Sequence, residues 1–401
     1  MLLGSGGAGT SVLSAAGALI AAQAQRTRGG VPPLHDSAGV LLVTLDPRSP
    51  LPAQLGVFRR PGEPVAVTGE LDLLHLDPLA AVESAWHDFT AALLTVAGGR
   101  HPLPLVGTLA SVAPGEMTAL PGAQEFLLLR RIRDAATSGR WDRIVVDLSG
   151  VGDPFALLRA PTLLATTVER LWPRHRRLAQ ASEQPALAQL AGAVESIGRD
   201  CDDLRELLAD PSAVAAHLVL DGGERGRRQC PDQLAIAELL GLPLRSVLVN
   251  PGAGGLDPQP VLECAAELLS GAPAQPQIAA VPHVDGPLDR LSRLRRLTVD
   301  LPGPDGRAHG SGALEVVHRG GSGLEAVYEL SWRQGLPEPD RLVLGRSGDD
   351  LLVTVSGFRH PVRLPSVLRR CTVAGAQWAH GRLTVEFTPD PAVWPQRAGR
   401  R

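Results

Sequence analysis

The stretch Gly4-Ser5-Gly6-Gly7-Ala8-Gly9-Thr10-Ser11 lies between an apolar stub, Met1-Leu2-Leu3, and an Ala/Leu-rich run through Ala22. Glycine admits the positive φ that a sharply curled backbone needs. Such a curl at a helix N-terminus turns successive N–H groups toward one point, the arrangement that holds a phosphate. The chain has 44 glycines, so glycine content alone fits an ordinary structural turn better than a phosphate cradle. What surrounds the loop decides between them. Only three residues precede Gly4, fewer than the ~5–6 of an ordinary strand, and the expectation is a start further upstream.

Downstream, short apolar runs alternate with helical stretches: Val40–Leu45, Leu71–Leu76, Arg143–Leu148, His217–Leu220 and Ser246–Asn250. Continuous apolar runs of this length suit strands covered on both faces, and their alternation with helices implies a parallel sheet. Polar residues close them, notably Asp46, Asp147 and Asn250, at the strand ends where doubly wound sheets bind ligands. Within residues 185–209, Leu187, Leu190, Val194, Ile197, Cys201, Leu204 and Leu208 repeat at 3-4 spacing, the seam of an amphipathic helix. It packs on its own domain or is offered to an apolar partner. Beyond about residue 296 short alternating segments take over: Leu297–Leu301, Ala313–His318, Leu324–Trp332, Leu351–Val355 and Leu383–Phe387, with turns such as Pro304-Asp305-Gly306 and His380-Gly381 between them. The expected architecture is α/β: a doubly wound, mostly parallel sheet with a helical insertion at about 160–212 within residues 1–295, then a small β-sandwich over 296–390 and a tail, 391–401.

Composition narrows the function. A net charge of −3 and an aromatic content of 3% exclude a general nucleic-acid binder. Residues 12–22 are too few to span a bilayer and no basic residue precedes Arg26, so neither an integral membrane segment nor a secretion signal is expected. Cys201, Cys230, Cys264 and Cys371 form no CxxC pair, which suits a reduced cytoplasmic setting. No HxxxH pair with a carboxylate marks a metal site. Ser149-Gly150 is no part of a GxSxG elbow, and the basic run Arg174-His175-Arg176-Arg177 reads as a solvated helix face. There is no lysine anywhere: all 39 basic residues are arginine. A phosphate loop of the form GxxxxGK[ST] uses a lysine to reach the β- and γ-phosphates and a hydroxyl to bind Mg2+. Here the lysine position holds Thr10 and the hydroxyl position Ser11.

The loop resembles the deviant GKGGVGKT loop of the ArsA/guided-entry ATPases, relatives of the MinD/ParA group. Gly4, Gly6, Gly7 and Gly9 match in register, a hydroxyl stands at Ser11, and both family lysines are replaced, by Ser5 and Thr10. Further positions agree in order. Asp46-Pro47-Arg48-Ser49-Pro50-Leu51 is similar to the first switch, DPAxxL. Asp147-Leu148-Ser149-Gly150-Val151-Gly152, with Leu158 and Pro161, is similar to the second, DTAPTGxxLRxLxxP, departing from it at Leu148, Gly150, Phe155 and Ala156. Met117–Glu125 is similar to the segment before the second switch strand, and Asn250 to the strand-ending asparagine that reads adenine. In the last third, Arg363-Leu364-Pro365 and Ala376–Leu383 resemble the AxxxxGxL signature of α-crystallin/small heat-shock domains, which some family members carry C-terminally.

The resemblance implies that Asp46 positions the attacking water, that Asp147 serves the second switch, that Ser11 carries Mg2+ and that ATP or ADP sits on Gly4–Ser11 with its base at Asn250. It implies a dimer whose signature lysine reaches across the interface, so that this chain pairs with a second copy or with an intact paralogue. Loss of both lysines leaves binding weak or lost and hydrolysis poor, since cationic stabilisation of the transferred phosphoryl group is usually the largest catalytic contribution. Arg48, Arg59 and Arg60 are the nearest candidates for a replacement cation, and His283 lies where the family has a loop near the base, though a solvated loop histidine fits it better. A non-enzymatic reading stands beside this one: a chaperone-like scaffold holding hydrophobic protein clients on the 187–208 seam and the crystallin-like domain. Arsenite-pump activity is disfavoured because no cysteines cluster in the sequence.

Overall fold

The computed structural model describes residues 1–28, 39–96, 112–113, 115–116, 122–183, 185–252, 254–270, 275–306, 314–335 and 339–394. Eight strands form one sheet: β1 Leu2–Gly4, β2 Val40–Thr44, β3 Pro64–Ala66, β4 Leu71–His75, β5 Arg143–Asp147, β6 Ala216–Asp221, β7 Leu244–Asn250 and β8 Gln277–Ala280. Their order is β3-β4-β2-β5-β1-β6-β7-β8, parallel throughout except for edge strand β3. Successive side chains feed opposite cores. Leu41, Val43 and Leu45 enter one cluster, Val40 and Leu42 the other, and Leu3 and Leu2 divide in the same way. Two-sided burial is why these runs are apolar without alternation.

Among the described residues the helices are α1 Thr10–Arg28, α2 Leu51–Leu55, α3 Pro78–Val96, α4 Ala123–Thr137, α5 Pro154–Leu171, α6 Arg174–Glu183, α7 Pro185–Ala209, α8 Glu224–Leu239, α9 Gln259–Leu269 and α10 Leu291–Leu294. Buried Ala15, Ala16 and Ala18 let α1 lie close on the sheet beside β2 and β5. No described helix is long and apolar enough to cross a membrane. The seam of α7 packs on α5 and α4, with Cys201 and Leu204 fully buried and Asp200 paired to Arg133 at 2.8 Å. Burial pushes the Cys201 thiol up to about 12. In α6, Arg177 departs from the solvated face expected of its run: it is buried, held by Glu195 at 2.8 Å and by Glu169.

The described strands between Glu315 and Pro389 form a β-sandwich. One sheet is β14-β15-β10-β9 (β14 Cys371–Ala379, β15 Arg382–Pro389, β10 Val327–Arg333, β9 Glu315–Gly320), and the other is β11-β12-β13 (Leu342–Ser347, Asp350–Val355, Phe358–Arg363). Leu330, Trp332, Leu383, Val385 and Phe387 of the first sheet and Leu351, Val353 and Val355 of the second are buried in one core. The AxxxxGxL signature is the β14–β15 hairpin. His380 and Gly381 both take positive φ, as a two-residue turn of the mirror-image type requires, and Leu383 enters the core. The segment Leu297–Leu301, expected as the first sandwich strand, forms no strand. Leu297 and Val299 are buried with the α1 cluster and Leu301 lies over Gly17. Asp305 pairs with Arg245 and its N–H bonds Pro211 O. Residues 297–306 thus cover the α/β unit, because their apolar side chains close the outer face of α1 instead of pairing in a sheet. Met117–Pro121 and residues 395–401 lie outside the described residues.

The sandwich docks on α5 and α8. Arg159 stacks over the Phe358 ring at 4.4 Å, and Phe155 meets the same ring edge-on. Asp232 takes Arg341 at 3.1 Å and Ser356 Oγ at 2.6 Å. Gln334, fully buried, donates to Ala235 O at 2.9 Å, and Glu238 accepts from Arg333 Nε at 2.7 Å and from Gly335 N. Burial pushes the Glu238 carboxyl up, and the Gly335 and Arg333 donors pull it back. Glu238→Ala strips two donors of their acceptor and is expected to cost about 1–3 kcal/mol. Denaturant midpoints of wild type and variant measure this cost.

Candidate functional site

The loop follows the central strand. β1 pairs with β5 on one side and β6 on the other, Leu2 opposite Asp147 and Gly4 opposite Val219. The chain then curls through Ser5–Gly9, with Ala8 N–H bonding Ser5 O, and enters α1 at Thr10. Gly7 and Gly9 sit at φ +85° and +88°. A Cβ at Gly4 would stand 2.6 Å from Thr10 Oγ1, and one at Gly9 only 2.2 Å from Asn250 Nδ2. Gly6 faces open space. Asn250, at the end of β7, donates from Nδ2 to Ala8 O at 2.8 Å and accepts Gly252 N–H on Oδ1. The asparagine therefore clamps the loop, with one N–H and one lone-pair direction left over. His283 lies nearby on an exposed loop, Nδ1 3.2 Å from Gly252 O.

The acidic side is assembled from β2, β5 and the start of α1. Ser11 Oγ and Ser149 Oγ are 2.6 Å apart, and Ser149 N–H donates to Asp147 Oδ1. Asp46 accepts Arg48 N–H at 2.8 Å. Gly150, at φ +75°, crosses so close that a Cβ there would be 2.3 Å from the Asp46 carboxyl carbon. The two switch-like segments thus touch, and only glycine permits it. Burial pushes the Asp147 carboxyl above the usual carboxylate range, with repulsion from Asp46 adding to it and bonds from Ser149 and Ser11 opposing it. Ser5 Oγ, Thr10 Oγ1, Thr44 Oγ1 and Asp147 Oδ2 are buried and have no hydrogen-bond partner. Each such group costs about 1–3 kcal/mol, and their gathering at one end of the sheet fits a polar ligand there. Among the described residues no three His, Cys, Asp or Glu side chains are grouped to hold a metal. Mg2+ needs no such cage, since it keeps waters and takes oxygens from phosphate and one or two side chains.

Arg48 and Arg60, near the first switch, are exposed. Arg59 is spent on the backbone, donating to Pro47 O and to Ser49 O at 2.6 Å. The cation at the loop is one that sequence distance concealed: Arg225 Nη2 lies 3.2 Å from where a Cβ of Gly7 would be. Its signal is the β1–β6 pairing, which one sequence does not display. Cys230 and Cys264, also distant in sequence, are neighbours on α8 and α9, and both burial and that contact push the Cys230 thiol up.

An unfolded aspartate titrates near 3.9. Folding holds the Asp147 proton to higher pH, so stability from this group is full below that value and is lost as pH rises through the folded one. Asp147→Asn removes the loss and keeps an oxygen for Ser149 N–H. Without nucleotide, its melting temperature is expected to exceed the wild type's by a margin that is small near pH 4 and widens toward pH 7. Thermal scans across that range test it, and a margin that is constant or negative contradicts it.

Comparison with known proteins shows the family. The family model for the anion-transporting ATPase, ArsA type, matches residues 1–225, and that for the HSP20-like domain found in ArsA matches 325–387. Protein Rv2184c of Mycobacterium tuberculosis is 34% identical over 427 aligned residues, covering 98% of this chain and 97% of that one. An uncharacterised Streptomyces coelicolor protein, SCO2128, is 33% identical over 99% of this chain and 98% of its own. A Chlorobaculum tepidum protein, provisionally named an arsenical pump-driving ATPase, is 21% identical over 90% of this chain and 89% of its own. With its eight-stranded α/β sheet, its glycine loop and its sandwich, the chain belongs to the ArsA family of anion-transporting ATPases and carries that family's HSP20-like domain.

Proposed function

We propose that this chain is a nucleotide-sensing member of its family. It binds Mg2+ with ATP or ADP at Gly4–Ser11, hydrolyses ATP slowly or not at all, and works in the cytoplasm as a dimer with a second copy or an intact paralogue. The observation that carries the reading is the set of buried, unpartnered Thr10 Oγ1, Asp147 Oδ2 and Thr44 Oγ1 around a glycine-shaped loop, in a chain without lysine. The loop N–H groups and the start of α1 face the phosphates. The Ser11 hydroxyl and the Asp147 carboxylate hold the metal, Asp46 orients a water, and the spare N–H and lone pair of Asn250 meet the base. Bound Mg2+ neutralises phosphate charge. What is missing is the cationic help to the transferred group, and each such contact is worth about 10²–10³ in rate.

The client-holding alternative keeps only part of its helical surface. Cys201 and Leu204, toward the C-terminal end of the 187–208 seam, are buried within the chain, whereas Leu187, Leu190, Val194 and Ile197 are half-buried.

Calorimetric titration with Mg-ATP and Mg-ADP tests the proposal. Binding in the micromolar to millimolar range is expected, weakened at least tenfold by Asn250→Ala. No heat and no thermal stabilisation up to millimolar nucleotide overturns it and leaves the scaffold reading. Thr10→Lys, which restores a cation where loop meets helix, is expected to raise phosphate release by about 10²–10³. An unchanged rate in a variant that still binds nucleotide means that more than this lysine is lacking.

A further inference from the structure

We infer that Arg225 is the loop's cation, supplied by the first turn of the helix that follows the strand beside the loop, in place of the absent lysines, to hold the polyphosphate of a nucleoside di- or triphosphate. This rests on the nucleotide reading above. The position follows from the topology. β6 lies against β1, so the turn from β6 into α8 emerges next to the loop that leaves β1. Glycines press that turn inward. A Cβ at Gly226 would be 1.7 Å from Asp221 O, and one at Gly222 3.0 Å from Asn250 O. Compressed in this way, the first turn of α8 brings the guanidinium against Gly7, with Nη2 at 3.2 Å and Nη1 at 3.6 Å from that glycine's Cβ position. A residue with a side chain at Gly7 would displace it.

The charges around Arg225 leave it available. Its ion pair with Asp221 is loose, 3.7 Å, with the arginine side chain 47% exposed, and pairs of that kind hold little energy. Glu224, next in the chain, is engaged by Arg227 and Arg228 at 2.8 Å each. Arg59, by contrast, is committed to backbone carbonyls. The buried Thr10 Oγ1, without a partner, lies in the same loop and marks it independently as a ligand site. A guanidinium suits the task because its planar fork donates two parallel hydrogen bonds to a phosphate. It binds charge at the loop without replacing the lysine at the loop–helix junction, so it favours retention of nucleotide over turnover.

The test is calorimetry of the full chain with Mg-ADP and Mg-ATP on wild type, Arg225→Gln, Arg225→Lys and Asp221→Asn. Arg225→Gln is expected to weaken both nucleotides at least tenfold and to flatten the salt dependence of binding, while Arg225→Lys recovers part of the loss. Asp221→Asn, which removes the competing carboxylate but keeps an oxygen for Gly223 N–H, is expected to bind more tightly than wild type. Equal weakening by Arg225→Gln and Asp221→Asn would mean that the pair only braces the turn, and would overturn the inference. Unchanged affinity in Arg225→Gln would overturn it as well and leave the nucleotide reading standing. Failure of wild type to bind at all removes that reading first. Melting curves of each variant separate lost contacts from lost fold.

Discussion

The pairing of β1 between β5 and β6 organises everything else in this molecule. It is a three-residue strand, yet its two neighbours bring Asp147 to one side of the glycine loop and Asp221 with Arg225 to the other. Parallel strands put all their carboxyl ends at one edge of the sheet, so Asp46, Asp147 and Asn250 converge there without any local sequence relation among them. Buried on both faces, β1 cannot slip without moving Leu2 and Leu3 into the wrong cores.

The same edge concentrates unfavourable features. A fully buried carboxylate, buried hydroxyls without partners and several glycines with no room for a Cβ all lie within it. The buried carboxylate and the unpartnered hydroxyls do not help the fold, and substitution would readily remove them if stability alone governed the region. Well-packed strands and α1 offset them. Local costs of this kind, offset by a stable core, cluster at functional sites.

One helix connects this edge to the second domain. α8 begins at the loop with Glu224 and Arg225 and, on the same rigid element, presents Asp232, Ala235 and Glu238 to the sandwich. The docking is polar and specific, with a buried glutamine, a tryptophan N–H on Gln334 O and ion pairs around them. α5 adds the Arg159–Phe358 and Phe155–Phe358 contacts. The HSP20-like domain therefore sits on the helix whose first turn touches the loop.

The sequence alone determined the class of fold and the order of its parts. Apolar runs covered on both faces need no partner to be recognised, and the 3-4 seam of α7 and the His380-Gly381 turn are equally local signals. The absence of lysine is likewise a fact of the sequence. What the chain's own order could not decide were the properties created by neighbours distant along it. Edge strand β14 shows no alternation because Thr372–Gln377 are all exposed. Leu297–Leu301 has the pattern of a strand but spends its apolar side chains on α1. Arg177 has the look of a solvated charge until Glu195 and Glu169 meet it. Above all, Asn250 as a clamp on Ala8 and Arg225 as a cation at Gly7 exist only through parallel pairing across more than two hundred residues. Local periodicity encodes what each segment is; which charges face each other depends on strand order, and only the packed sheet sets that.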